Sequence, residues 1–255
     1  MTAAVLPRAR IQQRLLVVHG DTGRVNDHTF DDIVHLFGPG DVLVVNDAAT
    51  LPASLPVILG GVHGEARLVG PPEDGWVVLF GAGSWRQPTE ARSAPPEVRV
   101  GECIEVAGSE RVVREVSPIS PRLVRIDLTL AEVMEHGRPV QYSYVPRPLR
   151  LDEVQTPYAG RPWATEMPSA GRVLTPSLVT ALRERGVTVV ALTHAAGLSS
   201  TGDPALDHAL PLAERYHVPP ATWRAVQSAE PVKSRLPETS MIGRLAKSST
   251  DRDRL

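Results

Sequence analysis

The side chains of this chain best suited to chemistry stand at the ends of apolar runs. His194 follows the run Val187–Leu192 and leads into Ala195-Ala196-Gly197-Leu198-Ser199-Ser200. Histidine is the side chain that exchanges protons near neutral pH, so His194 is the candidate proton-transfer group. On its residues alone, it reads first as a histidine that hydrogen-bonds a neighbouring loop. Asn46 and Asp47 close the run Val42–Val45 and offer donors and acceptors for sugar hydroxyls or a base edge. Such a pair more often satisfies the backbone of a strand-end turn. Ser169-Ala170-Gly171 precedes Thr175-Pro176, where a helix is expected to start. Glycine admits close backbone approach and a helix N-terminus favours an anion, although an ordinary helix start reads the same way. Ser199 and Ser200 add two hydroxyls in a serine-rich loop, a common feature. Arg147, Arg150 and Arg161 interleave with Tyr142, Tyr144, Tyr158 and Trp163. That mixture suits phosphate contacts and stacking on unpaired RNA bases, although residue by residue it reads more readily as a solvated loop whose aromatics pack on the core.

Several chemistries are excluded or unsupported. Gly81-Ala82-Gly83 is followed by Arg86 where a dinucleotide-binding fingerprint needs glycine. No phosphate-binding loop and no Gly-x-Ser-x-Gly elbow occurs, which leaves a serine hydrolase a distant reading. His208 and His217 are too far apart for a helical metal pair, and Cys103 is the only cysteine, so neither a metal nor a disulfide is expected. Cys103 itself reads as a buried structural thiol. Twenty-seven basic against 29 acidic residues give a net charge of -2, which excludes a polybasic nucleic-acid binder but not one local patch. Met1–Arg8 lacks the apolar stretch of a secretory leader, and no run reaches 18 apolar residues. A soluble cytoplasmic protein with no membrane partner is expected.

The elements that must position these residues follow from pattern. Arg14–His19 reads as a strand ending in a turn, and Thr29 caps a short helix through His35. Asp41–Asn46 has the continuous apolar pattern of a strand buried on both faces. Over 57–127, short valine-rich runs recur at Trp76–Phe80, Glu97–Val100, Ile104–Val106, Val112–Val116 and Leu123–Leu128. With Gly, Pro and Ser between them, they predict a small all-β domain. Thr129 to Glu132 is a capping box, with Gly137 closing its helix. Residues 138–170 are expected to be irregular. Thr175-Pro176 starts a helix with the stripe Leu178, Val179 and Leu182, which stops at Gly186. Val187–Leu192 is a buried strand, and ligands of such α/β units gather at strand carboxyl ends. Residues 219–230 form a last helix, and the tail 231–255 is expected to be loosely ordered. The fold class is α/β: a larger α/β domain over 1–55 and 129–230, with an inserted β-rich domain over 56–128.

Four segments carry a resemblance when taken together and in order. They are Gly40 to Ala53 with Asn46-Asp47 and Pro52, Tyr158 to Gly171 with Glu166-Met167-Pro168-Ser169-Ala170-Gly171, Leu192-Thr193-His194 through Ser200, and Glu214-Arg215-Tyr216-His217-Val218-Pro219. In that order the chain resembles the S-adenosylmethionine:tRNA ribosyltransferase-isomerase family, from about Arg14 to Glu230. The family's α/β domain is a distorted barrel. Its members usually continue beyond the last helix with a Gly-Thr-Thr/Ser strand and an Asn/Trp-His-x-Pro segment, neither of which occurs in Pro231–Leu255. A C-terminally shortened member is therefore expected. Arg172-Val173-Leu174 and Ala195-Ala196 also depart from the family pattern.

The resemblance implies an enzyme of queuosine biosynthesis. It moves the ribosyl part of S-adenosylmethionine onto the aminomethyl group of a 7-deazaguanine (preQ1) base in tRNA, giving epoxyqueuosine with loss of adenine and methionine. S-adenosylmethionine is then a substrate and no cofactor is implied. The partners are S-adenosylmethionine and the tRNA anticodon region, and the protein is expected to be a monomer. His194 becomes the catalytic candidate. Asn46, Asp47, Ser169, Gly171, Thr175, Ser199 and Ser200 become substrate-binding candidates, and Arg147, Arg150, Arg161 and Tyr158 RNA-binding ones. The alternative is a degenerate relative that keeps RNA or nucleoside binding without turnover.

Overall fold

The computed structural model describes residues 13–229. The readings of Met1–Arg8 and of the tail 231–255 lie outside the described residues. The chain starts with β1 (Arg14–Val18), turns at Gly23 and returns antiparallel as β2 (Val25–Thr29). Thr29 starts a 3-10 helix, Phe30–His35, and the Asp32 carboxylate accepts from its N–H and its hydroxyl at 3.0 Å each. β3 (Val42–Asn46) and β4 (Ala48–Thr50) follow. Then come β5 (Ser54–Leu59), β6 (Val62–Leu68), β7 (Trp76–Phe80), β8 (Cys103–Val106), β9 (Ser109–Val112), β10 (Glu115–Val116) and β11 (Leu123–Arg125). Helix α1 (Leu130–His136) has the reciprocal Thr129–Glu132 cap that its sequence predicts. After β12 (Arg161–Ala164), helix α2 (Pro176–Glu184) is capped by Thr175, whose hydroxyl accepts from the Leu178 N–H at 3.2 Å. β13 (Thr188–His194), α3 (Pro204–Ala209), β14 (Tyr216–His217) and α4 (Pro220–Ser228) complete the described chain.

The chain divides into two compact units. Among the described residues, one takes 13–46, 170–192 and 218–229, and the other takes 47–169 and 193–217. In the first unit, β3 runs parallel to β13, Val42 opposite Thr188 and Asn46 opposite Leu192. Leu43 and Val45 are buried and alternate with half-buried neighbours. Helix α2 turns into β13 at Gly186, which has φ +81°, and a Cβ there would meet Pro39 at 3.2 Å. Only glycine takes that backbone freely. The Thr222 hydroxyl of α4 donates to the Ala191 carbonyl of β13.

The second unit contains a seven-stranded antiparallel sheet in the order β10-β11-β7-β6-β5-β8-β9, drawn wholly from residues 54–125. The alternation in β5, with Leu55, Val57 and Leu59 buried and Pro56 exposed, is that of a strand with one face in the core. β7 is an interior strand between β11 and β6, and its Val77, Val78, Leu79 and Phe80 are all fully buried. Val133 of α1 and Leu206 of α3 join the same core. β12 pairs with β4 in parallel, outside that sheet. The molecule is thus mixed α/β, as its sequence indicates. Among the described residues no helix is long and apolar enough to cross a membrane.

Two readings are corrected. Glu97–Val100 is not a strand: Val98 is buried but Val100 is exposed, and Pro95-Pro96 just before it withhold the backbone donors a ladder needs. Cys103 is exposed, because β8 alternates and gives its buried positions to Ile104 and Val106.

Candidate functional site

His194 ends β13 in the second unit, where Thr193 and His194 pair antiparallel with His217 and Tyr216 of β14. The Ala195 N–H donates to the Arg215 carbonyl at 2.8 Å, which continues that pairing into the loop. Glu214 lies two residues before the register partner of His194. Its Oε2 stands 2.8 Å from His194 Nε2, and its Oε1 accepts from the Gly197 N–H at 2.7 Å. A Cβ on Gly197 would lie 3.0 Å from that Oε1, so glycine leaves the carboxylate its room. The two side chains are about a quarter exposed, 26% for His194 and 21% for Glu214.

The same loop is held from its other side by the residues after β12. The Thr165 and Glu166 N–H groups both donate to the Ala196 carbonyl, at 2.8 and 3.2 Å. Glu166 Oε1 accepts from the Ser199 N–H at 3.1 Å, and Oε2 accepts from the Ser199 hydroxyl at 2.9 Å and the Tyr142 hydroxyl at 3.4 Å. Burial, and then the Glu166 charge, push the Tyr142 phenol well above its ordinary pKa, so it stays a donor. Tyr144 is raised by the same two causes and stacks on Tyr142 with ring centroids 5.5 Å apart. Asp47 completes the cluster: its Oδ1 accepts from the Thr193 hydroxyl at 2.6 Å and its carbonyl from the Gly160 N–H at 2.8 Å. The arrangement is a histidine backed by a carboxylate, beside hydroxyl donors on tied loops, which is suited to proton transfer.

The predicted residues are distributed unevenly over this geometry. Asp47 pairs with Thr193, Glu214 with His194 and Glu166 with Ser199, three separate side-chain pairs on the segment 193–199, all within the second unit. Ser200 turns instead to Thr89, with 3.2 Å between the hydroxyl oxygens. Asn46, Gly171 and Thr175 belong to the first unit, and Ser169 to the second. The Thr175 hydroxyl is engaged in capping α2. Sequence reasoning named neither Glu214 nor Glu166 as a site residue, and it placed Tyr142 only among the aromatics suited to stacking on RNA bases. The signal for the first two was present, since each stands inside a quoted motif.

Arg147 and Arg150 are exposed and already paired. Arg147 binds Glu153 and Arg150 binds Asp152, the latter at 3.0 and 2.7 Å. The hydrogen bond from Arg147 holds the Glu153 carboxyl down to about 2. Arg161 and Arg215 instead lie over the Trp163 ring, 5.3 and 3.9 Å from its centroid, a cation–π arrangement. Burial raises the Tyr158 phenol to about 12. Among the described residues no group of three or more His, Cys, Asp or Glu is placed to hold a metal ion.

Comparisons with known proteins bear on this geometry. The model of a family described as "Queuosine biosynthesis protein" matches residues 1–237. The chain is similar to the S-adenosylmethionine:tRNA ribosyltransferase-isomerase of Acidiphilium cryptum, with 33% identity over 75% of this chain and 55% of the relative. It is similar to that of Thermosynechococcus vestitus, with 32% identity over 77% of this chain and 54% of the relative. It is also similar to that of Thermus thermophilus, with 32% identity over 87% of this chain and 65% of the relative. The chain thus spans between about half and two thirds of the length of these curated relatives. Among solved structures, the S-adenosylmethionine tRNA ribosyltransferase of Thermotoga maritima is 21% identical, with 88% of this chain and 60% of that chain covered and a TM-score of 0.33.

Proposed function

The chain belongs to the queuosine biosynthesis protein family, and on that premise we propose that it acts as an S-adenosylmethionine:tRNA ribosyltransferase-isomerase. It would move the ribosyl moiety of S-adenosylmethionine onto a preQ1 base in the anticodon region of tRNA and yield epoxyqueuosine. The observation that carries the reading is that the four motif segments meet through three side-chain pairs: Asp47 with Thr193, Glu166 with Ser199, and Glu214 with His194.

In this reading His194 removes the proton next to the sulfonium. Asp47, Ser199 and Ser200 bind the nucleoside, and Asn46, Ser169, Gly171 and Thr175 are substrate-binding residues by family resemblance. Arg147, Arg150, Arg161 and Tyr158 meet the RNA. We take the protein to work as a cytoplasmic monomer, and residues 56–128 to be a β-rich domain inserted into an α/β one. The support for the last point is that all seven sheet strands come from residues 54–125.

The test is nucleoside mass spectrometry of preQ1-bearing tRNA after incubation with the protein and S-adenosylmethionine. Epoxyqueuosine is the expected product. Tight tRNA binding without product would favour the degenerate relative instead.

A further inference from the structure

We propose that Glu214 is the positioning residue of His194: it fixes the orientation of the imidazole and holds it as the Nε2–H tautomer. This rests on the reading of His194 as the proton-transfer group. An ionised carboxylate is acceptor-only, so the 2.8 Å approach of Glu214 Oε2 to His194 Nε2 requires the hydrogen on Nε2. In the neutral ring the lone pair then belongs to Nδ1.

The carboxylate cannot swing away at no cost. Its other oxygen accepts from the Gly197 N–H at 2.7 Å, and Gly197 has no Cβ to displace it. The backbone fixes both partners, since His194 pairs with Tyr216 across β13 and β14 and the Ala195 N–H reaches the Arg215 carbonyl. A carboxylate behind a histidine is a general way to select its tautomer and ring orientation.

The test uses the full chain labelled with 15N-histidine, with the His194 signals assigned by their loss in His194→Gln. At pH 8 a protonated, pyrrole-type Nε2 and an unprotonated Nδ1 are expected. Glu214→Gln keeps the shape and an acceptor for the Gly197 N–H but presents an amide to the ring. It is expected to move the ring toward the Nδ1–H tautomer. It should also lower kcat about 10–100-fold, with KM for S-adenosylmethionine unchanged. The reverse tautomer in the wild type, a doubly protonated ring at pH 8, or a tautomer unmoved by Glu214→Gln would each overturn the proposal. The wild-type spectrum decides the point even if the variant fails to fold. If the wild type makes no epoxyqueuosine, the proposed function fails while the spectrum still judges Glu214.

Discussion

Two carboxylates of the second unit, Glu65 and Glu214, do opposite work with similar chemistry. Glu65 lies on β6 with its side chain 17% exposed, between Arg67 at 5% and Arg92 at 3%. It accepts from Arg67 Nε at 2.6 Å, from the Ser54 hydroxyl at 2.7 Å, and from Arg92. The guanidinium groups of Arg67, Arg92 and Arg122 lie 4.2 to 5.2 Å from the Phe80 ring centroid. Burial alone would raise the Glu65 carboxyl, but the Arg67 hydrogen bond and charge, with Arg92 and Ser54, outweigh it and bring it to about 2. Glu214 has one histidine, one backbone N–H and more solvent. The difference teaches that a buried carboxylate held by two guanidinium groups and a hydroxyl is locked into the scaffold, although Arg92 Nε keeps no hydrogen-bond partner among the described residues. The Glu214 carboxylate is instead shared between one imidazole and one loop N–H.

The sharpest way to break that contrast is at the histidine. His194→Ala is expected to lower turnover by about 10²–10⁴-fold while affinities for S-adenosylmethionine and tRNA stay within a few-fold, because a general base acts on the transition state. Epoxyqueuosine formation and direct binding measure the two sides. Wild-type turnover in this variant would make His194 a loop anchor and no more.

Glu65→Ala is expected to cost about 3–5 kcal/mol, since it strands buried guanidinium charge. For a chain this size that is a fall in Tm of roughly 6–20 °C. A Tm within 2 °C of wild type would show that the cluster is not a compensated lock. Its pH signature has a definite sign. The folded pKa is depressed from 4.5 to about 2, so the stabilisation is present above pH 4.5 and is lost as pH falls toward 2. The amount is about 3 kcal/mol by linkage. Denaturant melts across that window should slope for the wild type and flatten for Glu65→Gln.

A smaller effect belongs to Glu166. Glu166→Ala removes the acceptor of the Ser199 N–H and hydroxyl, bonds to a charged group of about 1.5–3 kcal/mol each. Hydrogen exchange at the Ser199 amide is expected to quicken by about tenfold or more, with the β7 amides unchanged. Equal acceleration in β7 would mean that the loop and the sheet open together.

The buried ion pair also explains what sequence reading missed. The alternation of β6 puts His63, Glu65 and Arg67 on one side and leaves the other to Val62, Gly64, Ala66 and Leu68, a row of mostly small residues that gives only a weak apolar stripe. β7, apolar throughout because it is buried on both faces, was plain. So were the three helix starts at Thr29, Thr129 and Thr175, where capping is local chemistry. β12 and β14 depend on partners more than a hundred and about twenty residues away, and no local pattern reports such pairing. The site divides in the same way. His194, Asp47 and Ser199 stood out by residue type and motif, whereas Glu214 and Glu166, though inside quoted motifs, join the candidate site through what their carboxylates touch.

The mildest contrast lies between arginines paired to carboxylates and arginines over a ring. Arg147 and Arg150 are exposed and hold Glu153 and Asp152, so they must release those partners before meeting a phosphate. Arg161 lies over Trp163 and has no carboxylate to release among its described contacts. Each phosphate contact in a single strand adds about 0.7 to the slope of log affinity against log salt. Arg161→Ala is therefore expected to reduce the tRNA slope by about that amount. The double variant Arg147→Ala with Arg150→Ala should reduce it by less than twice as much, and leave Tm unchanged, because exposed ion pairs are weak. Filter-binding titrations over a salt series distinguish the two. A loss of about 1.4 in the double variant would show that both ion pairs open onto RNA phosphates. No change for Arg161→Ala would mean that its guanidinium stays on the ring in the complex.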